Sequence, residues 1–425
     1  MAGDQTGAAW IPADARRILV ARGLRGFSDG FLAVSLAVYL GSIGLSSSVI
    51  GLILTSLLFG AAALTVLTSV FADRWGRRRM LQGLAALMVL SSLTFASTHV
   101  VWLLFAAALM GALISTSVGG GAFLALEQAI LAQNVVDARR TLLFVFYSLV
   151  GSLSAALGGL FSGVAGRVFP GDQAEMAYKT LFLLAALLGA SNLLIFRSLS
   201  ARVERLVAPV RPASFLGVHR SRGILLKLMA LFGLDAFSAG FALQPIFAYW
   251  FAQRWGLGLD ALGPIFFGVN FLNAASYLIA ERLARRIGLL NTIVFAHLPA
   301  GVLLLLVPLM PTVQLAIFVF VIRQLMSEMD VPTRQSFVMA VVDPDERVAV
   351  AGFTSLARSF AGIPSPALAT AAMSSLFLGV PFFVCGSLKI VYDLSMWVLF
   401  RALHPPEEAA ARQAVEAVQR PRSLD

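Results

Sequence analysis

The sequence predicts an all-α membrane protein, with twelve transmembrane helices arranged as two pseudo-symmetric six-helix bundles. Three observations predict this fold class: the composition, the length of the apolar runs, and a repeat that relates the two halves of the chain. Hydrophobic residues make up 59% of the 425 residues and charged residues only 13%. A soluble domain carries about a quarter charged residues, so the composition excludes an ordinary soluble protein.

The apolar runs have the length that membrane crossing requires. From Gly30 to Ala72 the chain contains no Asp, Glu, Lys or Arg. As one helix this stretch would be about 65 Å long, roughly twice the ~30 Å hydrocarbon core. It must therefore reverse once, and the segment Gly41–Ser48 is rich in the small residues of a turn. Apolar runs between such breaks predict spans at 17–41, 47–71, 80–97, 101–126, 141–165, 179–196, 224–251, 260–280, 288–308, 312–330, 348–370 and 376–400.

The loop charges predict the orientation. Arginines crowd the loops after even-numbered spans, at 74–79, 139–140, 197–222 and 282–286, whereas the other loops hold only Arg167, Lys179 and Arg254. Cationic loops stay in the cytoplasm. We therefore expect a multi-pass protein of the plasma (cell inner) membrane with both termini cytoplasmic. The net charge of +10 then reflects these loops, and no nucleic-acid partner is expected.

A duplication predicts the domain organisation. A shift of 207 residues aligns Gln128 with Gln335 and Arg140 with Arg347, and a shift of 208 aligns the charged loop at 73–78 with 281–286. With six spans each, the halves share one orientation and relate by an axis along the membrane normal. The predicted units are a first bundle at 1–198, a cytoplasmic linker at 199–222, a second bundle at 223–403 and a cytoplasmic tail at 404–425.

The loop between spans 2 and 3 carries a motif. Its sequence, from Ser69 to Arg79, reads SVFADRWGRRR. It resembles the signature of the major facilitator superfamily at the same loop, G-x-L-x-D-R-x-G-R-R/K, although Ser69 and Phe71 depart from it. Span count, central loop and half-repeat extend the resemblance over nearly the whole chain. The resemblance implies the major facilitator fold and a secondary transporter with twelve spans.

The same resemblance implies a cytoplasmic gate. In the family this charged cluster holds one conformation of the transport cycle, and glycine allows the tight reversal between two helices. We expect the loop arginines to pair with Glu127, and we expect Glu328, Asp330 and Arg334 to form a second-half version, with span 10 ending at Pro332. The predicted gate residues are Asp73, Arg74, Gly76, Arg77, Arg78, Glu127, Glu281, Arg285 and Arg334.

Charges within the spans predict the transport site, because a charge at bilayer depth is costly. The resemblance implies that spans 1, 4, 7 and 10 line the central cavity. The predicted substrate or coupling-ion residues are Arg25, Asp29, Asp235 and Arg323. Arg25 and Asp29 are four residues apart and are expected to pair, and so are Lys389 and Asp393. Arg358 lies near the predicted seam between the halves, and His297 is interpreted as a packed histidine.

These features predict secondary active transport of a small solute by alternating access, in the form of proton-coupled efflux of an amphipathic compound by an antiporter. Two alternatives stay open: uptake of an organic anion held by Arg25 and Arg323, and a transporter-like receptor or scaffold that transports nothing. A single cysteine and scattered histidines predict no metal site, no cofactor and no enzyme activity. The expected partners are the lipid bilayer, a small-molecule substrate and a coupling proton, with the protein acting as a monomer.

Overall fold

The computed structural model describes residues 11–111, 121–134, 137–204, 219–343 and 346–401. Within these ranges the regular structure is helical, and no strand occurs. Seven helical segments of the described residues are long and apolar enough to cross a membrane. The all-α prediction is therefore confirmed.

In the part of the first half that the structure describes, seven α-helices are followed by a short 3₁₀ turn. The helices are α1 (Ala13–Ser42), α2 (Ser47–Trp75), α3 (Arg77–Ser97), α4 (Val101–Leu109), α5 (Ala122–Asn134), α6 (Asp137–Val168) and α7 (Ala174–Arg197), and the turn is Ala201–Glu204. The predicted fourth span corresponds to α4 and α5, which are separate helices because α4 already ends at Leu109.

The described residues of the second half form nine α-helices. They are α8 (Arg222–Gly240), α9 (Gln244–Trp255), α10 (Leu259–Ile287), α11 (Leu289–Leu306), α12 (Val313–Ser327), α13 (Asp330–Val341), α14 (Arg347–Ala361), α15 (Ser365–Ser375) and α16 (Val380–Phe400). The increase over six arises because the predicted spans 224–251 and 348–370 are each broken in two and because α13 follows the predicted span 312–330 as an additional helix.

The breaks lie between α8 and α9, α12 and α13, and α14 and α15. The prediction that span 10 ends at Pro332 is wrong. The helix breaks earlier, at Glu328–Met329, and Pro332 lies in the first turn of α13. Proline is tolerated there because the first N–H groups of a helix have no partner within the helix. The described helices thus reproduce twelve crossing units, several of them made of two pieces.

The halves meet mainly along three helix pairs: α6 with α10, α2 with α15, and α1 with α9. Their closest contacts lie at the end of the molecule opposite Arg197 and Arg222, between which the linker runs. We call the end with the linker the linker end and the other the far end. At the far end the Ser47 hydroxyl lies 3.0 Å from the Tyr249 hydroxyl, and the Ala367 N–H donates to the Thr55 hydroxyl at 3.1 Å.

The clusters of buried apolar side chains also differ between the two ends. At the far end one cluster of buried side chains includes residues of both halves, such as Tyr39 and Trp250. At the linker end the buried side chains of the described residues form clusters that each stay within one half. One lies in the first half, around Ile130; a second lies in the second half, around Phe232; and a small third, around Ala296, is also in the second half. The hydrophobic core is therefore shared at the far end and divided at the linker end.

Candidate functional site

The charged loop of the motif turns at Gly76, whose φ of +89° is the left-handed region that side chains avoid. The carboxylate of Glu204 accepts the backbone N–H groups of Arg77 at 2.7 Å and Arg78 at 3.0 Å, and so satisfies the first turn of α3. The Arg78 side chain donates to the carbonyl of Arg197. In this conformation the loop is therefore tied to the start of the linker.

The other end of the linker is fastened by Glu346, which precedes α14. Its buried carboxylate accepts the backbone N–H groups of His219, Arg220 and Ser221 at 2.6 to 2.9 Å. Burial raises the pKa of Glu346, but these hydrogen bonds outweigh it and lower the pKa to about 2. The carboxylate therefore stays ionised and holds the start of α8 at every physiological pH.

In the first half, Arg25 lies at the centre of a buried polar cluster. Its guanidinium donates to Glu127 at 2.5 Å and to the Asn192 side-chain oxygen at 3.4 Å, and it lies 4.3 Å from the centroid of the Phe123 ring. The Tyr147 hydroxyl donates to the same Glu127 oxygen at 2.6 Å. Arg25 and Glu127 are 1% and 0% exposed, so this pair holds α1, α5 and α6 together.

Two predicted partnerships in the first half are wrong. Arg25 pairs with Glu127 and not with Asp29, because its side chain points toward α5. Asp29 instead lies 3.8 Å from Arg22. Glu127 was expected to pair with the arginines of the loop, but it is fully buried against Arg25 and Tyr147. The described contacts therefore place Glu127 in the interior of the bundle.

In the second half, Asp235 on α8 contacts three cations on three helices. Its carboxylate accepts from Arg358 on α14 at 2.6 Å, from Lys389 on α16 at 2.9 Å and from Arg334 on α13 at 3.0 Å. Arg334 also pairs with Asp330 at 2.7 Å. Asp235 is 3% exposed, and three cations around one buried carboxylate strongly favour its ionised form.

These contacts correct two further predictions. Lys389 and Asp393 do not pair: Lys389 reaches Asp235, and Asp393 binds His297 at 3.0 Å. Arg334 does not lie in a loop but on α13 within the buried cluster. Arg74 is exposed at the end of α2, whereas the side chains of Asp73, Glu281 and Arg285 lie outside the described residues.

The two clusters are related by the repeat, with the charges exchanged. A shift of 210 residues carries Arg25 onto Asp235, and a shift of 207 carries Glu127 onto Arg334. In each half, an ion pair thus joins the first crossing helix to the fourth. Sequence alignment alone did not show this relation, because the residues of each aligned position differ in charge.

Arg323 is the predicted cavity residue whose environment differs most from these pairs. It lies ten residues, about 15 Å, along α12 from the far end, which is close to the midplane of a bilayer. It is 4% exposed. Its guanidinium donates to the Gln324 side chain at 2.8 Å and lies 5.8 Å from the centroid of the Phe247 ring. Among the described residues no carboxylate pairs with it, and its Nε has no acceptor.

Two more buried donors, on the helix that carries Phe247, lack acceptors. The amide nitrogen of Gln244 and the indole nitrogen of Trp250 have no hydrogen-bond partner among the described residues. Both lie on α9, three residues before and three residues after Phe247. A buried donor without an acceptor is costly. Three buried nitrogen donors thus lack acceptors, one each on Arg323, Gln244 and Trp250.

Sequence reasoning missed Gln244 and underrated His297. No local signal marks Gln244 in the sequence. The break that places it at the start of α9 depends on Pro245, which occupies the first turn of that helix. His297 is part of a chain of hydrogen bonds that involves residues about 90 positions away in the sequence.

Comparison with known proteins identifies the class to which this fold and these intramembrane charges belong. A family model described as Major Facilitator Superfamily matches residues 18–366. The chain belongs to the major facilitator superfamily. It is also 25% identical over 410 residues to the uncharacterized membrane protein YJR124C of Saccharomyces cerevisiae, with 89% of this chain and 92% of the yeast protein covered.

Solved structures agree on the fold. The nucleoside transporter NupG superposes with a TM-score of 0.70 at 14% identity, over 92% of this chain and 99% of its own. The xylose transporter XylE from E. coli, in a partially occluded inward open conformation, gives 0.69 at 14% identity over 93% and 99%. The human organic anion transporter MFSD10 gives 0.57 at 19% identity over 91% and 100%. The protein is thus a multi-pass membrane protein with a transporter fold.

Proposed function

We propose that the protein is a secondary transporter of a small organic anion, with Arg323 as the residue that binds the anionic group. The observation that carries this proposal is the environment of Arg323. A buried guanidinium at bilayer depth is expensive unless it is paired. Among the described residues its hydrogen-bond acceptor is the neutral Gln324, and Glu328 acts on it only through its charge, without an ion-pair contact. A substrate carboxylate, sulfonate or phosphate supplies the missing charge.

The other predicted cavity charges support a different role. Arg25 and Asp235 already have internal partners of opposite charge, so substrate would have to displace a protein carboxylate or cation. A substrate that binds Arg323 would displace no carboxylate or cation of the described residues. Phe247 beside the guanidinium favours a substrate with an apolar or aromatic body. The expected substrate is therefore amphipathic as well as anionic, which unites two hypotheses from the sequence.

The divided core favours alternating access, with the present conformation closed at the far end. We equate the linker end with the cytoplasm because its loops carry the arginines. The conformation is then cytoplasm-open, as the similarity to inward-open XylE also supports. We retain proton coupling, export as an antiporter, the cell membrane as location, a monomeric state and a gating role for the loop at 73–78 as parts of this proposal.

The test is ligand binding by purified protein. Aromatic and aliphatic sulfonates, each matched with its neutral sulfonamide, are screened by thermal shift, because a bound ligand raises Tm. We expect several sulfonates to stabilise the wild type and their sulfonamides to do so far less. Arg323→Gln should weaken sulfonate binding by about tenfold or more, the loss of one charged hydrogen bond, and should abolish uptake in proteoliposomes.

Arg254→Gln is the matched control. Arg254 also lies beside an aromatic ring, with its guanidinium 4.9 Å from the Trp255 centroid, but it is exposed at the far end. This variant should bind and transport like the wild type. Equal stabilisation by charged and neutral ligands, or sulfonate binding that survives Arg323→Gln, would contradict the proposal. Binding without transport would favour a receptor.

A further inference from the structure

His297 on α11 is enclosed between one anion and one cation. Its Nδ1 lies 3.0 Å from an oxygen of Asp393, and its Nε2 lies 3.3 Å from the ammonium of Lys389. The imidazole is 1% exposed and Asp393 is 0% exposed. The second oxygen of Asp393 has no hydrogen-bond partner among the described residues. No role in transport has so far been assigned to these two side chains.

The two neighbours determine which nitrogen carries the proton. The ammonium of Lys389 can only donate, so Nε2 must be the accepting nitrogen of a neutral imidazole. Nδ1 then carries the hydrogen and donates it to Asp393. In the present conformation His297 is therefore neutral. Its Nε2 carries no proton and can take one up. In the present conformation Nε2 accepts a hydrogen bond from Lys389.

We propose that His297, with Asp393 as its counter-charge, is the proton-binding site of the transport cycle. It lies on α11 and α16, and not at the carboxylates of the predicted cavity. The proton is transferred from a hydronium ion, whose O–H bond breaks to leave water, and it bonds to Nε2 in place of the hydrogen bond from Lys389. The imidazole becomes a cation whose charge Asp393 balances. Asp235 is unsuited to this task, because protonating it would remove the anion that Arg334, Arg358 and Lys389 share.

Proton binding has a mechanical consequence. An imidazolium and an ammonium both donate, so the 3.3 Å contact between them becomes repulsive. Lys389 must then rely on Asp235 alone, and it competes there with Arg358, which donates to the other oxygen of the same carboxylate. Arg358 lies on α14, which continues into α15, and α15 packs against α2 of the first half. Proton uptake at His297 thereby reaches the seam between the halves.

Other charged and titratable side chains surround His297. The helices packed against α11 bring Lys389, Tyr392 and Asp393 from α16, Asp330 and Arg334 from α13, and Arg323 from α12, with Glu328 at the break after it. Arg334 is already paired with Asp330 and Asp235. Asp393 is the carboxylate that contacts the imidazole directly, so it decides whether the charged form is stable.

The first experiment measures proton binding without any substrate. The full-length protein, with ¹⁵N-labelled histidine, is studied by NMR in nanodiscs, and the His297 signal is assigned by its loss in His297→Gln. We expect the Nδ1–H tautomer at alkaline pH and a second proton as the pH falls. Asp393→Asn should lower the midpoint by about one pH unit or more, and Lys389→Met should raise it similarly.

His99 is the matched control, since it also pairs with a carboxylate, Glu175, at 3.3 Å, but is 48% exposed. Neither Asp393→Asn nor Lys389→Met should move its midpoint. A His297 that stays singly protonated at every pH at which the protein is folded would overturn the proposal. So would a midpoint that ignores Asp393→Asn. If His297→Gln does not fold, His99→Gln, His219→Gln and His404→Gln assign the other three histidine signals, and the remaining one belongs to His297.

The second experiment measures the link to the seam, and only this part rests on the transporter function proposed above. Spin labels replace Arg79 and Arg286, which are exposed at the linker end of opposite halves, on a Cys385→Ala background. Lowering the pH should redistribute the distance between them, and His297→Gln should abolish the response while His99→Gln keeps it. A response that persists in His297→Gln would exclude the coupling. Sulfonates are absent, so failure of anion transport would affect neither experiment.

Discussion

At the scale of single residues, the described interior contains many charges, and nearly all of them occur in combinations. Arg25 has Glu127, Asp235 has three cations, and His297 links two ions. Desolvation makes an isolated buried charge very costly. Removing one member of a buried ion pair leaves such a charge, and it therefore costs several kcal/mol. The exception, Arg323, therefore stands out by its chemistry and not by its position alone.

Removing the partner of Arg25 tests this view. Glu127→Gln should destabilise the protein by about 3–5 kcal/mol, because it leaves a guanidinium that is 1% exposed without its anion. The double variant Arg25→Met with Glu127→Met should recover most of that loss, because neither charge then remains buried. The free energy of unfolding, from denaturant titration in detergent, is the measurement.

Arg17→Met is the control for this prediction. Arg17 also forms an ion pair, with Asp14 at 2.9 Å, but its side chain is 42% exposed. Exposed pairs contribute about 0–1 kcal/mol, so this variant should remain close to the wild type. A double variant at Arg25 and Glu127 that is no more stable than Glu127→Gln would show that the pair serves packing more than charge balance.

At the scale of helices, several turns depend on capping groups supplied from distant parts of the chain. Gly76 lets α2 pass directly into α3, and Glu204 then satisfies the first N–H groups of α3. At the other end of the linker, Glu346 does the same before α8. The linker is thus anchored to each half by a carboxylate.

Gly76→Ala tests the turn. A side chain at φ +89° costs about 1–2 kcal/mol, and the added Cβ would meet the Glu204 carboxylate at 3.0 Å. We expect a lower Tm. Gly83→Ala in the same helix is the control, because nothing lies within 4 Å of its Cβ. It should leave Tm unchanged or raise it, since alanine favours helix by about 1 kcal/mol. Equal Tm changes in both variants would contradict the argument.

At the scale of the whole molecule, the far end closes through contacts that tolerate no side chain. A Cβ on Gly263 would lie 2.4 Å from the backbone nitrogen of Gly163, so α10 and α6 touch backbone to backbone. The shared core at this end adds apolar burial across both halves. Opening the far end must separate these surfaces, and closing it must exclude every atom between the two glycines.

Gly263→Ala should therefore disfavour the present conformation. Overpacking costs about 1–3 kcal/mol, enough to change a two-state population about fivefold or more. Spin labels at Val100 and Leu309, both exposed at the far end, should report a larger fraction of long distances on a Cys385→Ala background. Gly268→Ala on the same helix has no atom within 4 Å of its Cβ and should leave the distances unchanged.

Much of the fold could be predicted because its causes are local. The charge-free run from Gly30 to Ala72 required a reversal, and α1 does end at Ser42 and α2 begin at Ser47. The turn at Gly76 follows from one residue without a Cβ. The helix breaks were harder to predict. Phe241 lies within an apolar run that predicts one continuous span, and the break at Glu328–Met329 comes before the proline at which the sequence predicts it.

The sequence by itself determined the membrane setting, the helical class, the half-repeat and the buried charges that matter, because hydropathy and residue type are properties of the chain. Only the tertiary structure decided the partners of those charges. Arg25 is four residues from Asp29 yet pairs with Glu127, 102 positions away. A guanidinium at the end of a long side chain reaches whichever carboxylate the packing of neighbouring helices brings near, and helical spacing does not encode that choice.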